Sequence, residues 1–235
     1  MAQIDPSAFP QAGLYLLFPD GRRLDLTEEV IHRTTQQYLD DPSRLPPEVR
    51  AAADYQPCSI CPKRDTAEIC HAIMATLPFV DDVDRYVSYD AVTAVYRGVD
   101  STVLHVADTT LQEALKYLSL LSLMQYCEVG LKYFPYFQGV NPLMPAEDVA
   151  RRVFHNLYFD CRGDLDEVGR IIRSMQEEIQ VTARCQMDRL RLICRNDAFL
   201  NAMVNVHSTA AWLDFDLDQA GPAGQPGAPC DSPAE

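Results

Sequence analysis

"AVTAVYRGVDSTVLHVADTTLQEALKYLSLLSLMQYCE", residues 91–128, changes its hydrophobic period halfway along. Up to Asp108, β-branched residues stand on both arms of a turn containing Gly98 and Asp100, the pattern of a β-hairpin. From Leu111 onward apolar residues recur at helical steps, through Leu115 and Leu118. Leu120, Leu121, Leu123 and Met124 then carry the apolar surface most of the way round. A helix that is apolar on nearly every side belongs in the middle of a fold, and Asp108 or Thr109 is placed to cap it.

Upstream, "GLYLLFPDGRRLDLT" (13–27) reads as a second hairpin, with Pro19-Asp20-Gly21 as its turn and Leu24 and Leu26 alternating with polar neighbours. Residues 28–44 have a helical pattern through Val30, Ile31 and Tyr38, stopped by Pro46-Pro47. A cysteine-bearing loop follows, with a short helix expected to begin near Thr66 or Ala67. Downstream, Pro145 is placed to start a helix through Val149, Val153 and Tyr158. After the turn at 160–164, Leu165, Val168, Ile172, Met175, Ile179 and Thr182 mark one face of a long helix that continues to Leu190 and Ile193. Asn196-Asp197 can start a last helix, with Phe199, Leu200, Met203, Val204 and Trp212 as its apolar members.

Hairpins followed by segregated helices predict an α+β fold. The expected architecture is a small antiparallel sheet of two hairpins with a cysteine-bearing insert, packed against a C-terminal block of about four helices. The expected domain is residues 13–213, divided into hairpins plus insert (13–108) and a helical half (109–213), between a flexible segment 1–12 and an acidic Pro/Gly tail 214–235.

The chain has 235 residues, 47% hydrophobic and 23% charged, in the range of globular proteins, and its formal net charge is −14. Asp214, Asp216, Asp218, Asp231 and Glu235 put five of those charges in the tail, leaving about −9 elsewhere. Such a balance argues against a nucleic-acid partner, whose phosphates need clustered Lys and Arg. No run of apolar residues is long enough for a membrane span, and the start of the chain lacks a basic segment followed by an apolar one. A cytoplasmic location is therefore expected, and with it eight cysteines that are metal ligands or packed thiols rather than disulfides.

Four of those cysteines form the candidate site. Cys58 and Cys61 have the C-x2-C spacing that wraps the chain round a metal while backbone N–H groups point at the sulfurs. Cys70 follows after eight intervening residues, near a helix start that favours a thiolate. Lys63 and Arg64 lie between them. For the fourth ligand, His71 would have to share an ion with its neighbour Cys70, although adjacent helical side chains diverge by about 100 degrees. Cys127, at the end of the central helix, is preferred because it ties the insert to the core; His71 stands in reserve. Cys161, Cys185 and Cys194 have no mutual metal spacing and are expected to be packed thiols. His105, His155 and His207 are expected to be structural or surface histidines. The acidic stretch 160–167 lacks the alternating oxygen ligands and sixth-position glycine of a calcium loop.

The segments "PCSICP…ICHA", "VSYDAVTAVYRG" and "TLQEALKYLSLLSLMQYCE" together resemble an uncharacterised family of bacterial proteins with no assigned activity. Its pattern is a strand pair with a "DGR" turn, a C-x2-C-P segment, a later Cys-Pro, a Ser-Tyr-Asp/Glu strand, and a further Cys-Pro at a helix end. The resemblance covers roughly residues 13–135 and implies Cys58, Cys61, Cys70 and Cys127 as the family cysteines. Pro62 keeps the first Cys-Pro, whereas His71 and Glu128 stand where proline follows the other two.

The residues therefore predict a structural zinc site of four thiolates, closed to substrate water, in a protein whose helical half serves a protein partner. The alternative is an iron–sulfur cluster on the same cysteines, in an electron carrier or redox sensor. No phosphate loop, nucleophile elbow or His-Glu-x-x-His pair is present, so no catalytic residue is assigned. An enzyme or ligand binder would instead be marked by a deep pocket with converging polar groups away from the thiols.

Overall fold

The structure is a computed structural model that describes residues 5–66, 68–99 and 101–208. Strands β1 (Gly13–Leu17) and β2 (Arg23–Thr27) form the first hairpin, and β3 (Ala91–Arg97) and β4 (Leu104–Thr110) the second. They join into one antiparallel sheet in the order β2-β1-β3-β4, with Leu14 opposite Tyr96 and Leu16 opposite Ala94 across the central pair. The α-helices are α1 (Glu28–Asp40), α2 (Pro47–Asp54), α3 (His71–Met74), α4 (Val80–Val83), α5 (Leu111–Leu121), α6 (Ala146–Asp160), α7 (Leu165–Leu190) and α8, at 198–208. The fold is α+β, with most of the helical residues following the sheet in the chain.

The period of two in the strands sets the two sheet faces. Leu14, Leu16, Leu26, Val92 and Ala94 point into the main core beneath α1 and α5. The opposite face carries Tyr15 and Val95, covered by Phe9 from the segment before β1, whose ring meets Tyr15 edge-on at 5.0 Å. A second core joins α6, α7 and the end of α5 through Val153, Leu157, Ile172, Met175 and Met203. Helix α5 is shared: Leu115 and Leu118 belong to the sheet-side core, Leu120 to the helical one. Its nearly all-round apolar surface is what this double burial requires.

Four local expectations are corrected. The short helix expected near Thr66 or Ala67 begins only at His71, because Thr66 holds the chain in a turn by bonding Lys63 O and Glu68 N. Neither Asp108 nor Thr109 caps α5: β4 runs on to Thr110, and the first amides of α5, Leu111 and Gln112, donate to Asp90 O and Ser88 O instead. Pro145 is the cap residue of α6, which starts at Ala146. In the last helix Phe199 and Met203 are buried, but Val204 is exposed. Trp212 and the tail, with Cys230, lie outside the described residues. Among the described residues, no helix is long and apolar enough to cross a membrane.

Candidate functional site

Helix α5 does not end in a regular turn. It widens into a π-helical turn, Ser122–Tyr126, and passes into extended backbone at Cys127. Single π turns inside α-helices are frequent at functional sites. Here the turn is locked from both sides: Ser122 Oγ lies 2.9 Å from Ala72 O in α3 and 2.8 Å from Gln186 Oε1 in α7. Gly130 packs so closely on it that a Cβ there would stand 1.8 Å from Leu123 O. Only glycine fits this approach.

Around that turn, one cavity of about 240 Å³ is lined by Cys58, Cys61, Cys70 and Cys127, and also by Cys185 of α7. The loop bearing Cys58 and Cys61 is tied to α7 at Gln56, whose carbonyl accepts from Arg189 Nη2 at 3.2 Å and lies 3.7 Å from Cys185 Sγ. Lys63 ties it to the segment after Cys127, pairing with Glu128 at 2.7 Å and Glu68 at 2.9 Å. Cys70 is the N-cap residue of α3 and packs with Tyr126, Cys127 and Ala72. His71 also lines the cavity, with Glu68 as its charged neighbour. Cys61, Cys127 and Cys185 each lie within electrostatic reach of both Cys58 and Cys70.

Backbone donors surround the sulfurs. The amides of Ile60 and Cys61 lie near the Cys58 sulfur, that of Lys63 near Cys61, and those of Val129 and Gly130 near Cys127, each favouring the thiolate, while the Cys61 amide donates to Cys58 O at 3.0 Å. Cys58 and Cys127 thus share one local geometry, with the second and third following amides near the sulfur. That arrangement suits a thiolate or a metal-bound sulfur. The hydrogen bond from the Cys185 thiol, the two amides and the nearby Arg189 guanidinium hold Cys58 down at about 6 against its burial. The same contact keeps the proton on Cys185, raising it well above the thiol range. Burial pushes Cys61 up, and pushes Cys127 up to about 11.

Two further residues line this cavity with unused donors. Gln186 and Arg189 are both buried, and Gln186 Nε2 and Arg189 Nε and Nη1 have no hydrogen-bond partner among the described residues. Buried donors without acceptors are costly, and a charged one more so. Among the described residues, no group of three or more His, Cys, Asp or Glu side chains has the spacing to hold a metal ion as it stands. The thiols stand round a space instead of closing on a point. Cys161 and Cys194 do not line the cavity; burial raises Cys194 to about 12.

The sequence reading missed Cys185, Gln186 and Arg189. Their signal was the face of α7 itself, which is apolar at Ile172, Met175 and Ile179 and then turns polar at Thr182, Gln186 and Arg189 while remaining buried. Polar residues continuing a core stripe mark a site that the stripe faces. No family model, curated protein or solved structure matches the chain, so function rests on this geometry.

Proposed function

We propose that the cavity holds an iron–sulfur cluster on Cys58, Cys61, Cys70 and Cys127, and that the chain serves as an electron carrier or redox sensor. The observation that carries this reading over a structural zinc ion is the size and lining of the space. Sulfurs round one tetrahedral zinc stand ~3.8 Å apart, the edge set by ~2.3 Å bonds. These cysteines instead share the lining of a cavity of about 240 Å³, many times the room of one ion, and among the described residues form no such single-ion group. A cluster spreads its four thiolates over several irons and brings sulfides of its own. Sulfides are the acceptors that Gln186 Nε2 and the free nitrogens of Arg189 lack. Charge bears on the same reading through Arg189: a thiolate-ligated cluster is anionic, and of the lining cations Lys63 is already paired with Glu68 and Glu128, whereas Arg189 has no carboxylate among the described residues. In this reading Cys185 is a hydrogen-bond donor to the Cys58 sulfur, a position from which reduction potential is tuned.

Anaerobic purification with a visible spectrum and iron, sulfide and zinc analysis tests the reading. The expected result is a brown protein containing iron and acid-labile sulfide. Cys58→Ser and Cys127→Ser should lose both, and Cys161→Ser and His71→Ala should keep them. A colourless protein with stoichiometric zinc would replace the cluster by the zinc site on the same ligands. Protein with neither metal would sink both.

A further inference from the structure

A second cavity, of about 780 Å³, opens on the other side of the π turn and shares no lining residue with the thiol cavity. Its volume lies within the ~300–1,000 Å³ of small-molecule sites. The turn serves both spaces: Met124 and Gln125 line this one, Tyr126 and Cys127 the other. One end is apolar, walled by Leu120, Leu121, Met124, Phe134, Phe137 and Val140. The other end is polar and comes from four separate elements: Glu28 from the first turn of α1, Tyr96 from β3, His105 opposite it in β4, and Tyr117 from α5. Tyr96 lies 5.8 Å from the Tyr117 ring and 6.2 Å from the His105 ring, centroid to centroid.

Two groups at the polar end lack what their chemistry calls for. Tyr117 is 5% exposed, and its Oη has no hydrogen-bond partner among the described residues. The carboxyl of Glu28 is half-buried and, among the described residues, has neither an ion-pair nor a hydrogen-bond partner; burial alone raises its pKa. It is not needed as a helix cap, because Thr27 Oγ already accepts from Val30 N. Neither Lys nor Arg lines the cavity, so among its lining residues a carboxylate or phosphate ligand would find only the imidazole of His105 as a basic partner, beside the carboxylate of Glu28. A carboxylate, aromatic rings and an unused phenol oxygen are together the groups that receive an ammonium ion.

We propose that this cavity binds an organic cation: a molecule with an aromatic or aliphatic body seated against Leu120, Met124, Phe134 and Phe137, and one amine or ammonium group between Glu28 and the rings of Tyr96 and Tyr117. The ammonium pairs with the carboxylate and lies against the ring faces, and one of its N–H groups is accepted by Tyr117 Oη. The acidic chain, at −14, also raises the local concentration of cations over anions.

Calorimetric titration of the full chain with three matched probes, tryptamine, tryptophol and indolepropionate, separates charge from shape. Tryptamine should bind saturably and about tenfold more tightly than tryptophol, with indolepropionate weakest. Glu28→Gln should remove the preference for the amine while leaving tryptophol binding within about twofold, and Tyr117→Phe should weaken tryptamine about fivefold. Thermal melts of both variants check that they are folded. Absence of saturable tryptamine binding, equal affinity for amine and alcohol, or an unchanged preference in Glu28→Gln would each overturn the proposal. Cys58→Ser protein, titrated alongside, should bind tryptamine like the wild type, so that failure at the thiol cavity does not register here.

Discussion

Asp197 joins two distant parts of the chain through three hydrogen bonds. Its carboxylate accepts from Ser88 N at 3.0 Å, Ser88 Oγ at 2.9 Å and Asn201 Nδ2 at 2.9 Å, linking the start of α8 to the segment before β3. The Ser88 amide is the main reason its pKa falls below the usual carboxylate value. A carboxyl depressed in the folded state adds stability that is fully present above its unfolded pKa of ~3.9 and disappears as pH falls through the folded value. Because the carboxylate is exposed and solvent screens its charge, Asp197→Ala is expected to cost no more than about 1 kcal/mol near neutral pH, mainly through the two bonds from Ser88. Urea unfolding should show the gap between wild type and variant narrowing below about pH 4. A gap of constant size down to the acid limit would show that packing, and not the charge, is what the carboxylate supplies.

Among the elements, the π turn at the end of α5 is the one that both cavities depend on, and it rests on Gly130. With a Cβ only 1.8 Å from Leu123 O, Gly130→Ala must displace backbone, not a flexible side chain. The expected cost is about 1–3 kcal/mol, and on the proposed cluster reading also a lower iron content, because the amide of residue 130 is one of the two near the Cys127 sulfur. Wild-type stability and metal content in Gly130→Ala would show that the close approach is dispensable. The amino-acid pattern announced much of this architecture. The switch from period two to helical steps at Leu111 specified sheet and central helix, because burial on one face of a strand and nearly all round a helix leaves different periods. The cysteine spacings and the end of α5 named four thiols that do line one cavity. The π turn was not legible, since it is set by Ser122 meeting Ala72 and Gln186, contacts 50 and 64 residues away in the chain. Cys185 escaped for a related reason: a thiol one residue from a buried stripe reads as packing until the loop at Gln56 is seen to fold onto it. The aromatic run 132–139 has no spacing that separates core from cavity wall. It packs through Tyr133, but Phe134 and Phe137 also wall the second cavity.

Over the whole molecule, charge is the quantity out of balance at the thiol cavity. In a chain with 34 acidic and 20 basic side chains, Arg189 is one of the few cations taken out of water, at 4% exposure, and among the described residues no carboxylate pairs with it. Among the described residues this guanidinium is held by Gln56 O with two nitrogens unpartnered, which destabilises the fold unless an anion, the Cys58 thiolate or a bound group, stands in the cavity. That gives Arg189→Met a sign that depends on what the cavity holds, a consequence that rests on the proposed cluster. Methionine keeps an unbranched chain of similar reach and removes the charge. In protein stripped of metal, at a pH below about 6 where Cys58 is protonated and offers no counter-charge, the variant should melt higher than wild type; about 1 kcal/mol corresponds to roughly 2–4 °C for a domain of this size. In cluster-loaded protein it should melt lower by a comparable amount, since the cation then faces anionic thiolates and sulfides and donates to them. Paired melts of loaded and stripped protein decide the matter. A shift of the same sign in both forms would mean that Arg189 responds to its packing alone, and that no anionic centre sits beside it.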